Sequence, residues 1–294
     1  MSKKKVLIVV TTYPLPSRSY DELVCTAGVL EDGTWIRIYP VPFKFLSGLR
    51  NDGIVETYKF TWIELELERR KDDFRPESYS PLNRNFSDIN ILDGISVKGG
   101  KKARHASWLK RKELCTKNVY TDLTQLVADS QDPTNVSLAT FKPTRFIGFD
   151  HEEDEREWKS EWQEQLKQYD MFYTPKKNGV PRKLIKKIPY KFFYRFEDCN
   201  GRKARLMIED WEIGQLFFNC LAIHKDELIA VQKVKEQYWD NFMLRDIYLF
   251  LGTTQQWHRR RSTNPFVITG VFYPPHLAEE VLPVCNQLSL FASL

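Results

Sequence analysis

Two short runs in this chain combine cations with aromatic rings at spacings that suit a flat, anionic ligand. In Trp35-Ile36-Arg37-Ile38-Tyr39, strict alternation sets Trp35, Arg37 and Tyr39 on one face of an extended strand and Ile36 and Ile38 on the other. Rings on either side of a guanidinium offer stacking area beside a fixed positive charge. The second run, Trp257-His258-Arg259-Arg260-Arg261, places three consecutive arginines next to an indole and an imidazole. Arg75 adds a cation and Tyr13 a ring. Lys101, Lys102 and Arg104 open the stretch GGKKARHASWLKRKELCTK, whose cations outnumber its single acid, Glu113. The chemistry these residues share is stacking on bases and neutralising phosphates, the mix that single-stranded nucleic acid requires. Packed aromatics with solvated cations would leave the same pattern.

Covalent chemistry leaves no comparable mark. The chain has no Gly-x-Gly-x-x-Gly, no phosphate-binding Walker loop, no Gly-x-Ser-x-Gly and no His-Glu-x-x-His. The acidic run His151-Glu152-Glu153-Asp154 is poor metal-ligand spacing, because adjacent residues rarely converge on one ion. No metal and no cofactor is expected. Glu209-Asp210 reads as a helix cap, and Cys25 as an inert thiol in an apolar strand. An alternative reading, a nuclease- or glycosylase-like enzyme acting on a flipped or modified base, would draw on Asp21, Glu22, Arg37 and Arg75 in one pocket.

With 44 Lys+Arg against 39 Asp+Glu the net charge is only +5, so a nucleic-acid partner must be argued from local clusters rather than from the total. No apolar run approaches the ~20 residues of a membrane span. Lys3-Lys4-Lys5 followed by Val6–Val10 resembles a leader, but the run is too short and is read as a first strand. The five scattered cysteines contain no Cys-x-x-Cys pair, which suits a reducing cytoplasm.

The elements that must position these residues are mostly short strands. Val6–Val10 reads as a central strand buried on both faces. Glu31-Asp32-Gly33-Thr34 is a hairpin turn of the kind that needs positive φ, and Cys199-Asn200-Gly201-Arg202 repeats it. Tyr58–Leu67 alternates as a further strand. A helix from Ser107, a second one capped by Thr121, a strand over Leu138–Phe149 and an acidic helix entry at Asp150–Glu157 follow, then helices from Glu209 and near Asp226–Asn241. The last strands are Ile247–Thr253 and Phe266–Tyr273, with a loop between them carrying Trp257–Arg261. The expected fold is α+β and β-rich, with two small barrel modules and helical insertions. Its expected parts are a barrel over residues 1–100, a basic helical insertion and connector over 101–180, a second barrel-like module over 181–280 and a peptide tail over 281–294.

Several segments resemble the bacterial dual OB-containing domain proteins: Thr12-Tyr13-Pro14, Glu22 to Gly28, Gly33 with Trp35 to Pro40, Arg75-Pro76-Glu77-Ser78, Ile208 to Glu212, Gly252-Thr253 and Asn264-Pro265-Phe266. The resemblance implies two oligonucleotide-binding barrels and a nucleic-acid-binding role; the expected partner is DNA or RNA, and genome maintenance or phage defence is the expected setting. It implies no reaction. The end of the chain, Gln287-Leu288-Ser289-Leu290-Phe291, resembles the bacterial sliding-clamp-binding motif Gln-Leu-Ser/Asp-Leu-Phe, which makes the replication clamp the expected protein partner. Two apolar anchors beside a directional glutamine suit an extended peptide seated in a groove.

Overall fold

The structure, a computed structural model, describes residues 2–16, 22–42, 58–83, 86, 88–160 and 185–276. The first half supplies β1 (Ser2–Thr11), β2 (Leu15–Pro16), β3 (Glu22–Val29), β4 (Trp35–Pro42), β5 (Thr61–Arg69), β6 (Ser78–Pro81) and β7 (Asn90–Gly94). β1 pairs with β3, β3 with β4, β5 with β6 and β1 with β5, all antiparallel, while β4 and β6 are parallel. Five strands therefore close into a barrel in the order β1-β3-β4-β6-β5 and back to β1. β2 extends the pairing of β3, and β7 adds to β5. Val6, Ile8, Val24, Ile36, Ile38, Ile63, Leu65 and Leu67 fill the interior, as the two-residue period of each strand requires.

The β3–β4 hairpin departs from the expected two-residue turn. Only Gly33 has positive φ (84°), Gly33 N–H donates to Leu30 C=O, and Leu30 N–H to Thr34 C=O. This is a three-residue loop with glycine in the left-handed position. The turn between the later strands repeats it, with Gly201 at φ 77° and bonds between Asp198 and both Gly201 and Arg202.

The second half contains α1 (Lys101–Cys115), β8 (Val119–Tyr120), α2 (Leu123–Asp129), β9 (Leu138–Phe141), β10 (Arg145–Glu153), β11 (Tyr190–Glu197), β12 (Lys203–Met207), α3 (Trp211–His224), α4 (Glu227–Lys235), β13 (Tyr248–Thr253), α5 (Gln255–Arg259) and β14 (Phe266–Phe272). A π-helical turn, Glu236–Asn241, prolongs α4. One sheet runs β10-β11-β12 and another β14-β13-β9-β8, and Ile208 bridges to Ile268 between them. The aromatic side of β11 (Tyr190, Phe192, Tyr194, Phe196) packs with Phe141, Phe217, Tyr238 and Leu249 in one core.

Several expectations need correction. β8 and β9 come from the stretch expected to be insertion and connector, yet they complete a sheet with β13. Asp122, not Thr121, caps α2, its carboxylate accepting from Thr124 and Gln125 N–H. Asp150–Glu153 is strand, not helix entry: it pairs with β11, and Arg195 and Arg205 supply cross-strand counter-charges. α1 begins at Lys101, and the segment after β13 starts with the short helix α5, capped by Thr254.

A third apolar cluster joins the halves. Leu7, Val9, Ala27, Val29 and Trp35 on the outside of the barrel meet Leu138, Phe250 and Phe272. The molecule is thus a β-rich α+β fold in which one side of a closed small barrel is covered by the second half. No helix among the described residues is long and apolar enough to cross a membrane.

Candidate nucleic-acid interface

The face of β4 chosen from its rings and arginine lies in this seam. Trp35 is buried with its ring edge-on to Phe250, 5.1 Å between centroids. Arg37 is 3% exposed. Its Nη1 donates to Ser137 Oγ at 2.8 Å and Ser78 Oγ at 3.3 Å, and Nη2 to the Ser137 and Thr253 carbonyls. Arg75 is buried beside it, bound to both oxygens of Asp73 and donating to Thr253 C=O at 2.8 Å. Glu77 accepts from Ser137 N–H and Oγ. The expectation that Trp35 or Tyr39 stacks bases and that Arg37 and Arg75 hold phosphates is therefore corrected for Trp35, Arg37 and Arg75, which are buried. All three meet groups of their own chain: the Trp35 ring packs on Phe250, and the two guanidinium groups donate to hydroxyls, carbonyls and the Asp73 carboxylate, with Arg37 Nε left unpartnered.

The electrostatics follow from that burial. Desolvation pushes the Arg37 guanidinium below its ordinary pKa; Arg75 adds to the lowering, while Cys25, Glu77 and Asp73 oppose it. Burial works against the Asp73 carboxylate too, but the hydrogen bonds and charge of Arg75 outweigh it and hold its pKa at about 2. His258, expected as a surface contact, is 3% exposed, and burial lowers its pKa.

What stays open is the rim of this seam. The β5–β6 loop, Arg70–Glu77, meets α5 there. Arg259 Nη2 and Gln255 Nε2 both donate to Asp72 C=O, at 3.0 and 3.2 Å, and the Phe74 ring stands edge-on to His258 at 4.8 Å. Trp257 is 48% exposed and Phe74 37%. The Arg260 guanidinium lies 5.4 Å over the Trp257 ring, and Arg70 lies 5.0 Å over the Tyr39 ring. Arg69, Lys71, Arg259, Arg260 and Arg261 are exposed around them, with Asp132 within 3.5 Å of Arg261. Two partly exposed rings among cations can stack bases and neutralise phosphates.

The structure thus unites Tyr39, Trp257, Arg259, Arg260 and Arg261 and leaves other sequence candidates elsewhere. Tyr13 packs against Trp211 at 5.4 Å and fills the space over Gly214, where a Cβ would lie 2.4 Å from its ring; its hydroxyl donates to Lys186 C=O. Lys101, Lys102 and Arg104 are exposed at the start of α1, which follows the opposite end of β5. Asp21 and Gln287, Leu288, Ser289, Leu290 and Phe291 lie outside the described residues, as does the side chain of Glu22. Sequence reasoning missed Phe74 and its neighbours Arg69, Arg70 and Lys71. The signal was the same cation-plus-ring mix found in Trp257–Arg261.

A second buried ionic cluster ties the halves together. Lys59 Nζ lies 3.1 Å from Asp210 Oδ1 and 2.8 Å from Glu212 Oε2. Burial opposes the Lys59 ammonium, but Asp210 and Glu212 prevail and raise its pKa, while burial raises that of Asp210 against the pull of Lys59. Asp210 also accepts from Glu212 N–H at the start of α3, the expected capping role. Among the described residues no group of three or more His, Cys, Asp or Glu side chains is arranged to hold a metal ion.

Residues 2–117, the barrel through α1, match the family described as Domain of unknown function (DUF8758). Residues 120–294 match the one described as Domain of unknown function (DUF8757). A comparison with curated proteins found no match. The second match takes in more than half of the chain, and the protein belongs to the family Domain of unknown function (DUF8757).

Proposed function

We propose that the protein binds single-stranded or distorted nucleic acid, DNA rather than RNA, at the rim between the Arg70–Glu77 loop and α5. In this reading it is recruited to replicating DNA in the bacterial cytoplasm by the clamp-binding segment Gln287–Phe291, for genome maintenance or phage defence. The observation that carries the binding role is the presence of two exposed rings, Phe74 on the Arg70–Glu77 loop and Trp257 on α5, two segments held together through Arg259 and Asp72 C=O. The barrel supports it. Its strand order and its parallel β4–β6 pair suit the oligonucleotide-binding type, in which the second and third strands and the loops after the first and fourth strands take the ligand. Here the second half covers part of the second and third strands, and the loop after the fourth strand, Arg70–Glu77, is open at its rim. The two sheets of the second half, joined at Ile208–Ile268, are read as the second module of that type.

The test is fluorescence anisotropy of the full chain with labelled DNA and RNA oligonucleotides. Trp257→Ala and Phe74→Ala should each weaken binding by about 1–3 kcal/mol, the worth of one stacked base. Failure of the full chain to bind any single-stranded or distorted oligonucleotide would end this reading.

A further inference from the structure

His258 connects the open rim to the closed seam. It sits between Trp257 and Arg259 in sequence, yet its ring points inward. Nε2 faces the Ser130 carbonyl, which only accepts, so Nε2 carries the proton and donates. Nδ1 is then a lone pair that accepts from Thr253 Oγ1 at 2.9 Å. The carbonyl of the same Thr253 receives Arg75. Phe74 closes the ring's remaining side. Among the described residues the charged groups that act most on the imidazole are the cations Arg75 and Arg37 and the carboxylate Glu77, which already accepts twice from Ser137, while the Asp73 carboxylate is committed to Arg75. A second ring proton would turn Nδ1 into a donor, so that the Thr253 hydroxyl must rotate to accept from it and loses the acceptor for its own hydrogen. It would also add a buried positive charge beside two guanidinium groups.

We infer that His258 is a positioning residue for the rim, and that Trp257 and Arg259 are held in their ligand-facing arrangement only while its imidazole is neutral. In consequence, acidification releases α5 from Ser130 and Thr253 and loosens the rim before the rest of the fold. The sign is opposite to that of a surface histidine, whose protonation strengthens attraction to phosphate. The positioning role is independent of the ligand; only its effect on affinity rests on the nucleic-acid reading above.

The experiment uses the full chain and His258→Gln between about pH 8 and 5.5, a range that spans an ordinary imidazole. Glutamine donates to Ser130 C=O and accepts from Thr253 Oγ1 but does not titrate in this range. Hydrogen exchange of residues 255–262, corrected for its intrinsic pH dependence, should rise on acidification in the wild type and stay level in the glutamine variant. Binding of a labelled oligothymidylate should weaken about fivefold or more in the wild type and not in the variant. Exchange that is flat in the wild type, or equally pH-dependent in both proteins, would overturn the inference. If exchange behaves as expected but no oligonucleotide binds at any pH, the positioning role stands and the proposed function falls. Should the variant not fold, NMR titration of the wild type decides: opening of the rim must follow the pKa of His258 and not those of His105, His151, His224 or His276.

Discussion

Arg75 Nη1 donates to the carbonyl oxygen of Thr253 at 2.8 Å, a bond between residues 178 apart in sequence. It fastens the open loop of the barrel to the end of β13. Asp73 fixes the guanidinium from the other side, with 2.6 Å between its Oδ2 and Arg75 Nη2. Because α5 starts at Gln255, the same bond sets where Trp257 stands relative to Phe74.

Replacing Arg75 by Met leaves the Asp73 carboxylate buried without its counter-charge and the Thr253 carbonyl short of a donor. Removing one partner from a buried pair costs about 3–5 kcal/mol. Arg75→Met should lower the urea midpoint accordingly, and Asp73→Asn in the same chain should recover part of the loss. Additive losses in the double variant would mean that the two side chains are not coupled.

Asp73 also sets an acid limit. Its folded pKa of about 2 lies below the ordinary carboxylate value, so its contribution to stability is present above about pH 4 and lost as pH falls toward 2. A tenfold change in acid dissociation corresponds to ~1.4 kcal/mol, which bounds the contribution at about 2–3 kcal/mol. Chemical denaturation of wild type and Asp73→Asn at a series of pH values should give curves that converge between about pH 4 and 2. A constant gap over that interval would exclude Asp73 as the titrating group.

Much of the scaffold was legible because it rests on local rules. Alternation in β4 correctly separated Ile36 and Ile38, which fill the barrel, from Trp35 and Arg37 on the other face. The Asp-Gly and Asn-Gly pairs marked both turns, although the turn type differed. Alternation tells which side chains share a face but not what will cover it. The cover over Arg37 comes from Ser137 and Thr253, 100 and 216 residues later, and no local pattern carries that pairing. Asp150–Glu153 misled for a related reason. A run of carboxylates suits a helix start, but the decisive partners, Arg195 and Arg205, arrive with other strands. Phe74 stands in a cation-rich run, Arg69–Arg75, but nothing local shows that this loop meets α5, where the Phe74 ring stands edge-on to His258.

The proposed recruitment through Gln287–Phe291 makes a prediction separable from the rim. A peptide of residues 284–294 should bind a bacterial sliding clamp with roughly micromolar affinity, as expected of so small an interface. Leu290→Ala with Phe291→Ala should abolish clamp binding by the full chain while leaving its melting temperature and its oligonucleotide affinity unchanged. A full-length wild-type protein that does not bind the clamp in surface plasmon resonance would remove this partner.

Salt dependence distinguishes the two basic clusters. Arg259, Arg260 and Arg261 surround Trp257, whereas Lys101, Lys102 and Arg104 follow β7, whose Gly94 pairs with Thr61 at the far end of β5. The nine residues of β5 separate these ends by about 25–30 Å at ~3.3 Å per residue. An oligonucleotide of about four residues, near the lower end of barrel site sizes, should therefore touch the rim alone. For a single strand each neutralised phosphate contributes about 0.7 to the slope of log affinity against log salt. Arg259→Ala, Arg260→Ala and Arg261→Ala together should flatten that slope by at most about two for the short ligand, while alanines at Lys101, Lys102 and Arg104 leave it unchanged. With a strand of about sixteen residues, the second set should begin to matter if one ligand runs across the barrel from the rim to α1. A short-ligand slope that responds to the α1 alanines and not to the arginine triple would place the nucleic acid on α1 and take the rim out of the binding path.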